Sequence, residues 1–516
     1  MPKMKLINLF MFLISIFLSA QTIGWDVFDA GNINGLNTKG YFGAAFDGRY
    51  VYYAPCRTND FHGNVLRYDT KKDFDNSASW EAYNASKTDG NNCVGYSSAI
   101  YANGYVYFVP FASKSQRHAK ILRFNTKYDF KDKRAWSSYD ASEVLKLKNS
   151  GYVGAEFDGR YIFFAPFGYK PYAHGKILRY DTTKDFNNRN SYDVYDASET
   201  DELMTKGFYG TVYDQRYIYF VPFNDGKVFH ARVLRYDTKQ SFNSQKSWEA
   251  FDAGSLSGIQ TGGYKGGVFD GRYVYFVPFR DSNGVHGKVL RYDTKEDFKS
   301  RNSWQIYDAS KTSGENAIGY VGAVYVNKKV YFVPYSQENN VFHSVFLCYD
   351  TTKDFNNRLS WKAANVKSVN GIRTKGYKFA TTDGRYIFFA PYNDGIDFSG
   401  KALRFDTEKG IFESSGNNDM SDETKNNSNN KKLDSKSQSF LNTLNRILKL
   451  DEKQIKSIEN ILIERSRELE KVKRSSIKGY EIKKKLNEIF NSYNKDIMNY
   501  LNSNQKKKFE KLIKLK

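Results

Sequence analysis

A unit of 55 to 57 residues recurs along most of the chain and restricts its possible folds more than any other feature. The unit is clearest over 263–310, and each copy contains several short runs that alternate aromatic and aliphatic residues, as β-strands do. A proline ends the second run of every copy, giving seven copies at Pro55, Pro110, Pro166, Pro222, Pro278, Pro334 and Pro391. A fixed period of this length is typical of small sheets repeated around an axis.

Each unit contains four predicted strands. The first is short and rich in small residues, as at 43–46, and an Asp-Gly pair suited to a tight hairpin turn follows it. The second and third strands are illustrated by 272–279 and 289–294. The fourth begins with an aromatic residue and is present in six units, at Trp80, Trp136, Tyr192, Trp248, Trp304 and Trp361.

The seventh unit has no fourth strand of its own, but residues 25–30 match that pattern at the other end of the chain. Pairing this segment with the last unit would leave the ring of sheets without an open edge. The sequence therefore predicts an all-β, seven-bladed propeller over 21–413, with four-stranded blades and an N-terminal strand that closes the last blade.

The repeated motifs resemble those of kelch repeats in all seven units. They are an Asp-Gly-Arg-Tyr-x-Tyr-Phe hairpin, a Tyr-Asp-Thr third strand and a Trp in the fourth strand. Kelch repeats carry a Gly-Gly pair where this chain has Val-Pro or Ala-Pro, so the family's binding roles do not transfer by residue. The resemblance implies a propeller, a fold that supports both binding modules and enzymes.

The first twenty residues read as a secretory signal peptide. Lys3 and Lys5 precede an apolar run that ends in the small pair Ser19-Ala20. No later stretch is apolar enough to cross a bilayer, so no stable membrane span is expected after cleavage. We expect a periplasmic or secreted protein.

A polar linker is predicted over 414–435 and a small all-α domain over 436–516, where the apolar period becomes helical. Asp451 with Gln454, and Asn502 with Gln505, form two capping-box patterns about fifty residues apart. The paired motifs resemble the periplasmic LTxxQ family, the Spy- and CpxP-like proteins. That resemblance implies a helical hairpin that dimerises and contacts unfolded or envelope proteins, hence a homodimer through these helices; a generic basic helical bundle is the alternative.

The net charge of +21 is dispersed. Residues 433–516 carry 21 Lys+Arg against 11 Asp+Glu, and the repeats share most of the remainder. Dispersed basic charge favours solubility and weak attraction to anionic surfaces. We therefore expect no nucleic-acid partner.

All six histidines occupy one repeat position, just before the third strand. In one interpretation each imidazole fastens the loop between the second and third strands by hydrogen-bonding a backbone carbonyl or a repeated Asp; in the other, the imidazoles contact a ligand on the face where the variable loops lie. No metal site is expected, because equivalent atoms on neighbouring blades should be roughly 10 Å apart. The candidate ligand-binding residues are these histidines and two loop tyrosines: His62, His118, His174, His230, His286, His343, Tyr169 and Tyr172.

Other repeated polar residues are predicted to be structural. The Arg and the Asp of the Leu-Arg-Tyr-Asp third strand share a strand face, and ion pairing within or between blades explains both. Cys56 and Cys93 fall on the same face of neighbouring units, which is compatible with a disulfide, whereas Cys348 replaces the repeated Arg and is expected to be a solitary buried thiol.

These observations favour a non-enzymatic binding or scaffold protein outside the cytoplasm. The propeller would recognise a glycan or a protein of the envelope or extracellular space through its variable loops, and the helical tail would mediate assembly. No nucleophile–base pair or triad interrupts the repeat, so no catalytic residue and no cofactor is predicted. A propeller enzyme acting on polysaccharide, as a hydrolase or lyase, and a chaperone-like envelope-stress protein remain as alternatives.

Overall fold

The computed structural model describes residues 23–147, 150–167, 173–256, 258–338, 341–410, 412, 437, 441, 444–445, 447–473 and 480–514. They belong to two compact units, one within 21–417 and one within 418–516, and each unit is described here by itself. The predicted signal peptide and linker lie outside the described residues.

The larger unit is a seven-bladed β-propeller whose blades are four-stranded antiparallel sheets, which confirms the predicted fold. Blade 1 comprises Tyr41–Phe46, Tyr50–Pro55, Asn64–Asp69 and Trp80–Asn84. Blade 2 comprises Tyr96–Ala102, Tyr105–Pro110, Lys120–Asn125 and Trp136–Asp140. Blade 3 comprises Tyr152–Phe157, Tyr161–Pro166, Lys176–Asp181 and Tyr192–Asp196. Blade 4 comprises Phe208–Tyr213, Tyr217–Pro222, Arg232–Asp237 and Trp248–Asp252. Blade 5 comprises Tyr264–Phe269, Tyr273–Pro278, Lys288–Asp293 and Trp304–Asp308. Blade 6 comprises Tyr320–Val326, Lys329–Pro334, Val345–Asp350 and Trp361–Asn365. Blade 7 contains Tyr377–Thr382, Tyr386–Pro391 and Lys401–Asp406.

The fourth strand of blade 7 comes from the start of the propeller sequence. Trp25–Asp29 pairs antiparallel with Lys401–Asp406, with Trp25 opposite Phe405 and Asp29 opposite Lys401. The Trp25 ring packs 4.4 Å from the Phe405 ring and 4.5 Å from the Phe346 ring of blade 6. The predicted closure of the ring is therefore confirmed.

The repeated motifs form the local structure that their chemistry favours. At the first Asp-Gly turn, the Asp47 carboxylate accepts hydrogen bonds from the backbone N–H groups of Arg49 and Tyr50, and Gly48 has a φ of 100°. Before the fourth strand, the indole of Trp80 donates to the carbonyl of Phe74. The same indole bond recurs in blades 2, 4, 5 and 6.

At most interfaces between neighbouring blades, an arginine stacks on aromatic rings from both blades. The Arg67 guanidinium lies 4.2 Å from the Tyr50 ring of its own blade and 4.3 Å from the Phe130 ring of the next blade. It also pairs with Glu81 at 2.6 Å. Cation–π contacts of this kind contribute roughly 0.5–2 kcal/mol each, and they recur at Arg123, Arg179, Arg235, Arg291 and Arg404.

The repeated aspartate pairs with a different arginine from the one beside it in the motif. Asp69 binds Arg49, which follows the Asp-Gly turn, at 2.9 Å. Equivalent pairs form at Asp181, Asp237, Asp293 and Asp406. The predicted ion pairs therefore exist, as two separate sets within the blades.

The smaller unit contains the helices Glu452–Lys473, Tyr480–Asn499 and Ser503–Lys514. Both predicted capping boxes are present: Gln454 and Asp451 exchange hydrogen bonds at 2.8 and 3.0 Å, and Gln505 and Asn502 at 2.9 and 3.0 Å. The two glutamine amides also bond to each other, at 2.8 and 3.1 Å. This pairing ties the starts of the first and last of these helices together. Within the described residues, no helix combines the length and the apolar character that a membrane crossing requires.

The closing strand generates a test of the ring. We expect Trp25→Ala to lower the free energy of unfolding by about 3–5 kcal/mol, because it removes a buried indole that packs against four aromatic rings. Urea unfolding followed by tyrosine fluorescence measures the change. Loosening of the strand should also expose the edge of Lys401–Asp406 and produce concentration-dependent association in size-exclusion chromatography.

The exposed Leu359, whose side chain is 72% accessible, provides a control, since Leu359→Ala should change stability by less than about 0.5 kcal/mol. Equal stabilities for Trp25→Ala and Leu359→Ala would contradict the role assigned to the closing strand.

Candidate functional site

Five of the six histidines fasten the start of the inner strand of their own blade. In five blades, Nε2 hydrogen-bonds to a backbone carbonyl 23 or 24 residues earlier, at 2.7–3.1 Å, and Nδ1 accepts from the backbone N–H two residues later, at 3.1–3.3 Å. These bonds define the tautomer with the proton on Nε2. The arrangement corresponds to the loop-fastening interpretation for His62, His118, His230, His286 and His343; ligand contact by them stays a prediction.

The remaining candidate residues are His174, Tyr169 and Tyr172. His174 is buried, and neither of its ring nitrogens has a hydrogen-bond partner within the described residues. Tyr169 and Tyr172, predicted to accompany it, lie outside the described residues.

Burial keeps the histidines neutral. It lowers the pKa of His62, His118, His174 and His343 to about 4 and that of His230 to about 3, and it also lowers the pKa of His286. The imidazoles therefore carry no charge near neutral pH.

The cysteines are buried free thiols. Cys56 and Cys93 do not form the disulfide that their placement allowed: Cys56 belongs to a cluster around the propeller axis, whereas Cys93 packs between blades 1 and 2. Cys348 is the predicted solitary buried thiol.

A pair of lysines stands out where the inner strands begin. The second residue of these strands faces the axis and is apolar or small in five blades: Phe42, Ser97, Val153, Tyr209 and Val321. Blades 5 and 7 place Lys265 and Lys378 there. Register puts this level beside the end of the second strand, since Tyr377 pairs with Pro391. The two lysines thus lie at the end of the axis where the variable loops also lie.

Aromatic rings surround both ammonium groups. Lys378 Nζ lies 3.7 Å from the centre of the Phe42 ring, 3.8 Å from Tyr392 and 4.8 Å from Tyr335. Lys265 Nζ lies 3.5 Å from the centre of the Phe279 ring, with Tyr209, Phe223 and Tyr335 at 4.9–5.6 Å. We call this group the axial cup; it consists of Phe42, Tyr209, Lys265, Phe279, Tyr335, Lys378 and Tyr392.

The two lysines of the axial cup have no matching acid among the described residues. Among the described residues, no carboxylate oxygen lies within 4 Å of either ammonium nitrogen, and neither nitrogen has a hydrogen bond. Burial accordingly lowers the pKa of Lys378 to about 7 and that of Lys265 well below its usual value. An unpaired buried cation is unfavourable, so the loss of a proton is easier for these amines than for an exposed lysine.

Phe379 closes the axis beneath the axial cup. The corresponding residue is glycine in five blades and Ser98 in blade 2, whereas blade 7 has a large aromatic side chain there. The backbone of Phe379 is left-handed, with a φ of 46°. Its ring reaches across the axis to within 6.2 Å of the Phe42 ring and 6.1 Å of the Tyr209 ring. The packing is close: a Cβ on Gly322 would lie 2.6 Å from Cδ1 of Phe379.

A cavity of about 350 Å³ lies along the axis beyond Phe379. Small residues of the inner strands form much of its wall, and Glu156 and Thr211 are its notable polar members. Burial raises the pKa of Glu156 to about 8, and the buried Thr211 hydroxyl has no hydrogen-bond partner among the residues that the structure describes. We call this space the axial cavity.

Sequence reasoning missed the axial residues, although a signal for them was present. The inner strands were interpreted only as rich in small residues. Comparing them position by position reveals two lysines in an otherwise uncharged column, Phe379 in a column of glycine and serine, and Glu156 where blades 4 to 6 have valine. A repeat that is broken at one position marks a place where function can reside.

Comparison with known proteins returned no matching family model and no curated relative. The kelch-like and LTxxQ-like resemblances therefore stay predictions. In the described part of the chain, no cluster of three or more His, Cys, Asp or Glu side chains is arranged to hold a metal ion.

The neutral histidines predict acid sensitivity. Their pKa values are below the unfolded value near 6.5, so the stability they contribute is complete above pH 6.5 and is lost as the pH falls toward 4. Each contributes a slope of about 1.4 kcal/mol per pH unit over that window. We expect His118→Gln to reduce the slope of unfolding free energy against pH by about that amount, measured by urea titrations between pH 4 and 7.

Lys120→Gln, two residues away and without the imidazole, is the matched control and should keep the wild-type slope. A wild-type slope in His118→Gln would show that His118 is not neutral in the folded protein.

Proposed function

We propose that this chain is a non-enzymatic binding or scaffold protein that acts outside the cytoplasm. Its propeller binds a glycan or protein ligand on the loop-bearing face, centred on the axial cup, and its helical unit mediates assembly or partner contact. The signal-like start of the sequence supports export. The observation that carries the binding role is the aromatic axial cup, whose two lysines have no acidic partner in the part of the chain that the structure describes.

The axial cup suits binding because its polar groups are not used by the fold. The repeated arginines, aspartates and five of the histidines have partners within the blades. The ammonium groups of Lys265 and Lys378 instead lie against ring faces. Largely apolar concave sites with a few convergent polar groups are typical of ligand sites.

A retention assay tests this proposal. Residues 21–516 would be incubated with a panel of polysaccharides and envelope extracts, and both retained ligand and newly released chain ends would be measured. We expect retention without release of ends. We expect Lys378→Met to weaken retention by roughly tenfold, the effect of losing a charge-assisted contact, whereas the exposed Lys71→Met should retain ligand like the wild type.

Failure of the wild type to retain any member of the panel would overturn the binding role. Equal retention by Lys378→Met and Lys71→Met would place the ligand elsewhere than the axial cup.

Cleavage of a polysaccharide, by a hydrolase or a lyase reaction, is a second candidate function. The raised pKa of Glu156 favours it. A carboxyl group with a pKa of about 8 is protonated at neutral pH, as a general acid must be. Glycoside hydrolysis normally uses two carboxyl groups, and Glu156 is the one acid in the described wall of the axial cavity. The enzymatic candidate therefore needs a second group from outside this wall.

Replacing Glu156 by the valine of blades 4 to 6 tests its role. The pKa of Glu156 is about 8 in the folded protein and about 4.3 in the unfolded chain. The folded protein therefore loses stability as the pH rises from about 4.3 toward 8, because ionisation of the carboxyl favours the unfolded chain. We therefore expect Glu156→Val to raise the free energy of unfolding by about 1–2 kcal/mol, and by more at pH 8 than at pH 5, as measured by urea titration.

Release of chain ends by the wild type and its loss in Glu156→Val would establish the enzymatic candidate. Thr381→Val, at the equivalent position of blade 7, is the matched control for the change in stability.

A further inference from the structure

We propose that the axial cup binds the carboxylate of an acidic sugar, presented at the end of a glycan chain. This inference rests on the proposed binding function and names the ligand class of the same site. Its basis is the charge, the shape and the closed floor of the axial cup.

The electrostatic surroundings favour an anion. The charged groups that act on Lys265 and Lys378 are arginines: Arg57 acts on Lys378, and Arg280, which is itself paired with Glu338 at 3.3 Å, acts on Lys265. The other titratable groups there are neutral, because burial raises the pKa of Cys56 to about 12 and also raises the pKa values of Tyr209, Tyr335 and Tyr392. One carboxylate between the two ammonium groups would supply the missing counter-charge, as charge-assisted hydrogen bonds do.

The walls favour a sugar ring around that carboxylate. Aromatic faces carry partial negative charge, and the polarised C–H bonds on the flat face of a pyranose are attracted to them. Phe279 and Tyr392 flank the two ammonium groups at 3.5 and 3.8 Å, so a ring attached to the carboxylate would meet aromatic surface as well as charge.

The floor limits the ligand to a chain end. Phe379 spans the axis and contacts both Phe42 and Tyr209, so a ligand entering from the loop face stops above it. A chain end can therefore enter without passing Phe379, whereas a chain that runs through the axis cannot.

A peptide carboxylate fits the axial cup less well. Capture of a peptide terminus generally relies on backbone N–H groups arranged as a nest. Here the walls are side-chain rings, and the neighbouring inner strands pair with the second strands of their own blades. The acidic sugar is therefore the better match, and an acidic peptide becomes one outcome of the test.

Binding should be coupled to protonation. Lys378 has a pKa of about 7 in the free protein, and a bound carboxylate raises it because the charged amine then has a partner. Affinity is complete below pH 7 and decreases as the pH rises, by up to about tenfold per pH unit for each proton taken up. Lys265, whose pKa is also lowered, adds to the uptake.

The experiment is isothermal titration calorimetry on residues 21–516. The probes are oligosaccharides ending in galacturonate, glucuronate or sialate, each beside its methyl ester, which keeps the ring but removes the charge. Titrations at pH 6 and pH 8, in buffers of different ionisation enthalpy, count the protons taken up. A peptide ending in three glutamates serves as the competitor class.

We expect at least one acidic probe to bind at least tenfold tighter than its ester, to bind more tightly at pH 6 than at pH 8, and to take up more protons at pH 8. Lys265→Met and Lys378→Met should each weaken binding by roughly tenfold. Lys71→Met should match the wild type. Folding of the lysine variants is checked by their urea transitions, and valine at the equivalent positions 153 and 321 indicates that an uncharged side chain is tolerated.

Three results would overturn the inference. Acid and ester could bind equally, or none of the probes could bind while the polysaccharide panel is still retained; in both cases the ligand class is wrong and the binding function stands. The acidic peptide could bind more tightly than every sugar, which would assign the axial cup to proteins. Absence of binding to the probes and to the whole panel would instead remove the proposed function itself.

Discussion

The pairing of Trp25–Asp29 with Lys401–Asp406 is the constraint on which the rest of the propeller depends. Residues nearly 380 positions apart share this ladder, and Asp26 also pairs with Arg404 at 2.8 Å. Without this pairing, blade 7 would present an unpaired edge. The contact between the buried Trp25 and Phe346 of blade 6 would also be lost. The axial cup takes Lys265 from blade 5, Lys378 from blade 7 and Phe42 from blade 1, so its geometry requires the closed ring.

Between blades, the stacked arginine provides specificity beyond apolar packing. Each guanidinium touches rings from two blades and an acceptor on the fourth strand, as Arg291 does with Tyr273, Phe355 and Gln305. Blade 6 departs from this pattern in two coordinated ways: Cys348 replaces the arginine, and Lys362 stands opposite it on the fourth strand. An arginine there would face a lysine, so the thiol avoids a repulsion.

Much of the fold could be predicted because repetition reports each structural need several times. The proline spacing gave seven blades, the missing fourth strand gave the closure, and the capping pairs around Gln454 and Gln505 gave two helix starts. The axial cup could not be predicted in the same way. Its lysines are single departures from a column that faces the axis, and what they contact depends on side chains from blades far apart in sequence. The pairing of Cys56 and Cys93, which their placement left open, likewise depends on packing: a shared face does not bring the two thiols into one cluster.

The axial residues share one physical property: each is less favourable for folding than its counterparts in other blades. Phe379 adopts a left-handed φ that costs roughly 1–2 kcal/mol, Lys378 is buried without an acid, and Glu156 replaces valine in a wall where its carboxyl is disfavoured as a charge. The other blades solve the same positions with glycine, valine or small residues. Repetition thus supplies an internal reference state, against which these three departures are unfavourable for stability. Their concentration along one axis, at Phe379 and on both sides of it, has no explanation in packing and is the reason why we propose a binding function at the centre of the ring.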